Sequence, residues 1–422
     1  AMAPPPASRG PIAGSAPAGP AAPTLSATAG AVTPGPVAIG GSSAAPQRGS
    51  GEAASSTVVG LREQPARGRL LAAVFGASVG LGLGQHRTRA ARGGGGGGQA
   101  GQGKVAVITG ASSGIGKAAA VELARSGKYG TLILAGRNEE KHEQAMQDIR
   151  GTAGGKVAVD LKYLPLDLAS LASVRTCAKS FEALDLPLHA LVNNGGVMAL
   201  PERQVTIDGF EYQFQVDYLS HFLLTGLLLP RLEASGLPGN PSRVISVSSS
   251  AHFVKSPLAY GDVSDLNSSG KDEAHGYYPW TAYGQAKLAQ VEFTYELDRR
   301  LRERYGDASP VVAHALHPGV VDTGIDRYLP QGQKMPKLPF IKSAADGAKT
   351  VTFLALSDDR SVIQDSGKYW EDSKPALSLG KGSNPAPWSS EMAVAGTDSY
   401  DQASWRRLWE ASEKLTGLQV TV

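Results

Sequence analysis

The chain has 422 residues, 41% of them apolar and 19% charged, with a formal net charge of +3. Residues 1–103 hold eight Arg, no Lys and two acids, Glu52 and Glu63, so they carry +6 and leave −3 for 104–422. The basic character belongs to the leading segment, which argues against a nucleic-acid-binding face on the rest; the one cysteine, Cys177, excludes an intrachain disulfide and a thiolate metal cluster.

Residues 1–103 are dominated by Ala, Gly, Pro and Ser and include the run from Gly93 to Gly98. Such a composition holds too little apolar side chain to offset its ordering entropy and reads as a disordered leader. Its Arg and Ser content and scarcity of acids suit an organelle transit peptide, for plastid or mitochondrion, or else a low-complexity tail. Plastid import is the expectation carried forward. Leu70–Gly84 is the most apolar piece. With four glycines and fewer than the ~20 residues a bilayer span needs, it is not expected to form a stable transmembrane anchor.

From Lys104 the pattern changes. KVAVIT at 104–109 is a short Val/Ile-rich run followed by Gly110, a buried strand. Ile115–Ser126 has helical spacing, Thr131–Ala135 is a second strand, Asn138–Arg150 a polar-faced helix, and Lys162–Leu166 a third strand. Leu188–Val192, Arg243–Val247 and Val311–Leu316 complete six. Nearly continuous apolar strands alternating with helices predict an α/β fold: one doubly wound parallel sheet of the Rossmann type, covered on both faces. Its ligand crevice lies beyond the C-terminal ends of the strands.

The motifs fall there. Thr109–Gly116 reads TGASSGIG between the first strand and first helix, with glycines at 110, 114 and 116. Such a turn lets a pyrophosphate approach the backbone at a helix N-terminus, which nominates Gly110, Ser112, Ser113, Gly114, Ile115 and Gly116 as cofactor-binding. The second strand ends in Gly136–Arg137–Asn138, where an NAD-preferring site places a carboxylate. A guanidinium instead suits a 2′-phosphate, so Arg137 and Asn138 predict NADP(H). Asp167–Leu168 either receives the adenine or, through Asp167, caps the next helix. Further on, YGQAK at 283–287 sets Tyr283 and Lys287 four residues apart on one helix face.

With these motifs in order, the chain resembles the short-chain dehydrogenase/reductase family from about Lys104 to Leu418. The resemblance is carried by TGASSGIG (109–116), NNGG (193–196), RVISVSSSAH (243–252), YGQAK (283–287) and HPGVVDT (317–323). Within the family, PWTAYGQAKLAQ and LWEASEKLTGL look most like the retinol dehydrogenase and protochlorophyllide reductase relatives. The resemblance implies an NADPH-dependent oxidoreductase of carbonyl and alcohol groups. Tyr283 is then the general acid/base and Lys287 the ribose anchor that favours the tyrosinate. Ser249, chosen among Ser248–Ser250, is the hydroxyl that holds the substrate oxygen. Asn193 and Gly195 border the cofactor, and Pro318, Gly319, Val320 and Thr323 resemble the segment that holds its carboxamide end.

Two positions depart from the family pattern. Gly195 stands where the family has Ala. Asp217 stands where it has the Asn whose backbone carbonyl orders a water leading to the lysine. Asp217 is expected to pair with Lys287 in a modified relay, or to cap a distorted helix. On the substrate side, Leu258–Tyr260, the GDVSDLN stretch, Tyr277–Trp280 and Gly324–Ile341 are lids over a lipophilic substrate or packed surface loops. A light-dependent protochlorophyllide reductase is disfavoured because the family's cysteine is absent near Val320–Val321. A reading of another class, an NADPH-sensing scaffold of plastid protein import, remains as an alternative. The sequence leaves substrate identity and homo-oligomerisation open.

Overall fold

The computed structural model describes residues 103–152, 159–253, 271–272, 276–328, 341–376 and 401–422. The expected leader, apart from Gly103, lies outside these, as do Leu258–Tyr260, GDVSDLN, Leu329, Leu338 and Phe340.

The six expected strands form as β1 (Lys104–Thr109), β2 (Tyr129–Gly136), β3 (Asp160–Pro165), β4 (Ala190–Asn193), β5 (Ser242–Val247) and β8 (Val311–His317). β6 (Lys271–Asp272) and β7 (Gly276–Tyr277) make a separate hairpin. β9 (Lys368–Glu371) and β10 (Lys374–Pro375) were not foreseen. They are four and two residues long, too short for a periodicity to show; β9 forms by pairing in parallel with β8. The order is β10-β9-β8-β5-β4-β1-β2-β3, parallel throughout except for β10. Its switch point falls between β1 and β4, where the crevice of such a sheet opens.

Helices cover both faces. On one, Ile108, Leu132 and Leu134 pack with Leu123 of α1 (Gly114–Arg125) and with Val351 and Leu354 of α7 (Ala344–Leu356). α2 (Glu139–Thr152) adds Ala145 and Ile149 to that layer. On the other, Val107, Ile133 and Leu191 lie under α3 (Leu171–Glu182), α5 (Ser220–Ser235) and α6 (Pro279–Tyr305). A short α8 (Arg360–Ile363) follows α7, and α9 (Gln402–Thr416) packs on α6. Ahead of α5, α4 (Tyr212–Phe214) runs into a π turn at Gln215–Leu219. Among the described residues, no helix is long and apolar enough to cross a membrane.

Candidate active site

The C-terminal ends of β1, β2, β4 and β5 open on a cleft of about 720 Å³. At its floor the glycine-rich turn leaves β1. Gly110 has φ +68, and a Cβ there would sit 2.8 Å from Gly195 Cα, so only glycine fits. Ser113 holds the N-cap position of α1, but its hydroxyl caps nothing. The first N–H groups of α1 are thus left for an anion, as a pyrophosphate requires.

The loop after β4 is bolted to this turn through Thr109. Its Oγ1 accepts from the Asn194 N–H (2.9 Å) and the Gly195 N–H (2.8 Å) and meets His221 Nε2 at 2.9 Å. Asn194 returns an Nδ2 hydrogen bond to the Thr109 carbonyl at 2.8 Å. At Gly195 a Cβ would lie 2.7 Å from Leu168 Cδ1, so the leucine methyl takes the space a side chain there would use.

At the adenosine end, exposed Arg137 donates to the Tyr212 hydroxyl at 3.2 Å. Asn138 Oδ1 accepts from Lys141 N–H at 2.8 Å and so starts α2. Asp167 Oδ1 accepts from Ala169 N–H at 3.0 Å in a local turn, while the cap of α3 is Ser170.

At the opposite end, three serines separate by role. Ser248 is buried and donates to the Lys287 carbonyl at 2.8 Å, and Ser250 enters a 3₁₀ turn through its N–H to His317 Nδ1. Ser249 alone hydrogen-bonds Tyr283. The Lys287 ammonium, 4% exposed, donates to the Val247 carbonyl and Gln290 Oε1, both at 3.1 Å, and stands 5.5 Å from the Tyr283 ring centroid.

Asp217 completes the group from the π turn, which turns it inward. It is 0% exposed, and its Oδ2 faces Lys287 Nζ at 3.2 Å. Oδ1 accepts from Val197 N–H at 2.8 Å, and the Asp217 carbonyl contacts His221 Nδ1 at 3.0 Å. Burial pushes the Tyr283 phenol up; Lys287 and the Ser249 hydrogen bond pull it down, and Asp217 pushes it further up. Burial opposes the Lys287 ammonium, but Asp217 and Tyr283 outweigh it and hold its pKa above the usual value. Burial likewise raises the Asp217 carboxyl, with Lys287 opposing.

Comparison with known proteins identifies the family. The family described as short chain dehydrogenase matches residues 104–261. The chain is 40% identical over 319 residues to polyprenol dehydrogenase of Mus musculus, spanning 75% of this chain and 84% of that one. It is 39% identical over 325 residues to retinol dehydrogenase 13 of Homo sapiens, spanning 75% and 86%. The chain belongs to the short-chain dehydrogenase family. It is an oxidoreductase acting on alcohol or carbonyl groups. An uncharacterized protein from Mycobacterium Paratuberculosis has a similar crystal structure, with a TM-score of 0.53 at 30% identity, covering 76% of this chain and 95% of that one.

In this dehydrogenase the cleft is lined by Gly110, Ser112, Ser113, Gly114, Ile115, Arg137, Asn138, Asp167, Leu168, Gly195, Tyr283, Lys287, Pro318 and Thr323. Gly116 lies behind the turn, where a Cβ would meet the Gly110 carbonyl at 2.8 Å. Asn193, expected at the cofactor border, is fully buried behind the cleft. As the last residue of β4, it turns its Nδ2 away to Thr225 Oγ1 at 3.0 Å, and Asn194 is the asparagine that lines the cleft. Gly319 and Val320 stand against Lys342, whose N–H bonds the Val320 carbonyl at 2.8 Å; neither lines the cleft. Residues that the motifs did not mark include Tyr212, Lys141, His142, Val197, Val216 and Ile325. Asn194 is the second residue of the NNGG motif and Val197 follows it directly, so both were within reach of it. Lys141 and His142 follow Arg137–Asn138 on the first turn of α2, while Tyr212, Val216 and Ile325 arrive from distant elements and carry no local signal.

Proposed function

We propose that this dehydrogenase transfers hydride between NADP(H) and the carbonyl or alcohol group of a lipophilic small molecule. The observation that carries the reading is the contact set at one end of the cleft: Ser249 on Tyr283, Tyr283 beside Lys287, and Lys287 on Asp217. Arg137 at the other end supports the phosphorylated cofactor, because a guanidinium binds a 2′-phosphate where a carboxylate would repel it.

When bound, the nicotinamide supplies or accepts the hydride. In reduction, the Ser249 hydroxyl donates a hydrogen bond to the substrate oxygen. Tyr283 gives that oxygen its proton as hydride reaches carbon, so the carbonyl becomes an alcohol. In oxidation the tyrosinate takes the alcohol proton back. Lys287 favours the tyrosinate by its charge and would hold the nicotinamide ribose; Asp217 positions Lys287. The wall beside Tyr283 is apolar, made by Met198, Ala199, Ala251 and Ile325, and Trp280 meets the Tyr283 ring edge-on at 6.1 Å. That wall and the names of the relatives, polyprenol and retinol dehydrogenases, support an apolar alcohol or aldehyde. Residues 1–103 are proposed to direct import into an organelle, first of all the plastid, on their acid-poor, Arg-containing composition. A fluorescent protein carrying this segment tests it.

The enzymatic test follows NADPH and NADH consumption against long-chain aldehydes and ketones, with Tyr283→Phe as control. Turnover with NADPH is expected, with kcat at least ~100-fold lower in the variant and cofactor binding retained. Tight NADPH binding without turnover on any of these substrates, or their alcohols with NADP, overturns the reading in favour of a sensor.

A further inference from the structure

Beneath the adenosine end, Gly136 closes β2 and His142 stands at the start of α2, 2% exposed. The imidazole fills the space that a side chain at 136 would take. A Cβ on Gly136 would lie 2.3 Å from His142 Cε1 and 2.6 Å from Nε2. This is the position where a dinucleotide site of the NAD type carries its carboxylate. The ring therefore stands in place of that acid.

Its hydrogen bonding is half complete. Nδ1 meets the Asn138 carbonyl at 2.7 Å, so Nδ1 carries the hydrogen and Nε2 of the neutral ring is a bare acceptor. Nε2 is buried and has no hydrogen-bond partner among the described residues. His142 as a residue lines the cleft together with Gly136, Arg137, Asn138 and Lys141. A buried nitrogen without a hydrogen-bond partner thus belongs to the same stretch of cleft wall as two cationic residues, Arg137 and Lys141.

We propose that His142 is a proton-linked part of cofactor recognition: neutral in the free enzyme, and an imidazolium donating from Nε2 when the 2′-phosphate of NADP(H) occupies the pocket it shares with Arg137 and Lys141. This rests on the NADP(H) reading above and adds to it a second determinant and a proton. Burial holds the free ring neutral by lowering its pKa, while the carbonyls of Asn138 and Ala135 favour its charged form. A phosphate dianion adds the opposite charge that tips the balance.

The ionisable groups around the ring are known. Glu139, Glu140, Lys141 and Glu143 are exposed on its own helix, and Arg137 is exposed at the end of β2. From β3, the Tyr163 ring packs at 5.1 Å and its hydroxyl donates to the Gly136 carbonyl at 3.0 Å. Burial raises the pKa of that phenol, so it stays neutral near pH 7. Asp167 lines the cleft beyond β3. A free-state pKa below the ordinary one and a bound-state pKa above it mean that NADPH binding takes up a proton at the pH values between them. Affinity then falls as pH rises through the bound-state value. The cofactor phosphate has its own ionisation near pH 6, which acts in the opposite sense and is complete well above that pH.

Calorimetric titration of the whole chain with NADPH and with NADH, in buffers of different ionisation enthalpy from about pH 7 to about pH 9, tests the proposal. Proton uptake is expected with NADPH and not with NADH. His142→Gln should abolish the uptake and lower the NADPH-to-NADH affinity ratio roughly tenfold near pH 7. Equal proton counts for the two cofactors in the wild-type enzyme overturn the role of His142 even where NADPH is preferred. A wild-type preference for NADH overturns the NADP(H) reading itself. Should the variant not fold, the wild-type proton counts alone decide.

Discussion

The residue with the largest electrostatic consequence is Asp217. An asparagine there would leave Lys287 charged and buried with carbonyl partners only. The carboxylate instead puts a buried ion pair directly behind the tyrosine. Its negative charge works against Tyr283 ionisation while it holds Lys287 protonated. Asp217→Asn removes the charge and keeps an oxygen for the Val197 N–H. Alcohol oxidation needs the tyrosinate, so its rate rises with pH up to the phenol's pKa. The variant should therefore reach its plateau at lower pH than the wild type. Rate profiles on one alcohol, run side by side, read this directly; superimposable profiles would reduce Asp217 to a shaper of the π turn. The same substitution leaves a buried ammonium with one partner fewer and should cost about 3 kcal/mol in denaturant unfolding.

At the scale of elements, the catalytic helix is clamped from behind. α6 is buried along most of its length, and α9 closes over it with Trp409. That ring stacks on Phe293 at 5.8 Å, meets Phe222 edge-on at 5.2 Å and lies under the Arg300 guanidinium at 4.5 Å. Trp409→Ala should cost about 3–5 kcal/mol, measured by chemical denaturation. Because α6 also carries Tyr283 and Lys287, turnover should lose heat resistance in parallel. The elements that were legible in the sequence were those with a strong local pattern: the apolar strands, the glycine-rich turn and the Tyr-x-x-x-Lys helix. The π turn was legible only as the distorted helix that the family resemblance offered at Asp217, because an extra residue in a single turn leaves no periodicity of its own. His142 was invisible for a different reason: its partner Gly136 has no side chain, so only the folded chain shows what fills the gap.

For the whole molecule, buried histidines set the response to acid. His221, His252, His314 and His317 are each pushed down to about 4 by burial, from an ordinary value of 6.5. Between those values the unfolded chain binds protons that the native protein refuses. Their stabilisation is complete above about pH 6.5 and is lost as pH falls towards about 4. A smaller group of carboxyls raised by burial, Glu211 to about 7 together with Asp217 and Glu371, acts in the opposite direction. The histidines outnumber them, and each net proton is worth about 1.4 kcal/mol per pH unit. The melting temperature should drop steeply between about pH 6 and about pH 4.5; a flat curve over that range would contradict the buried, neutral assignment.

The two ends of the sheet bear on how copies of this chain can meet. β10 is two residues long and exposes a lysine and a proline, and the proline has no N–H to offer a neighbour. At the far edge, β3 carries Asp160 and Lys162, paired at 2.9 Å and partly exposed. Charge on one border and a missing donor on the other make both poor templates for an added strand. Any self-association is thus steered away from sheet extension, the route to fibrous aggregates, and towards contacts between helical surfaces, where it can stop at a defined number of copies.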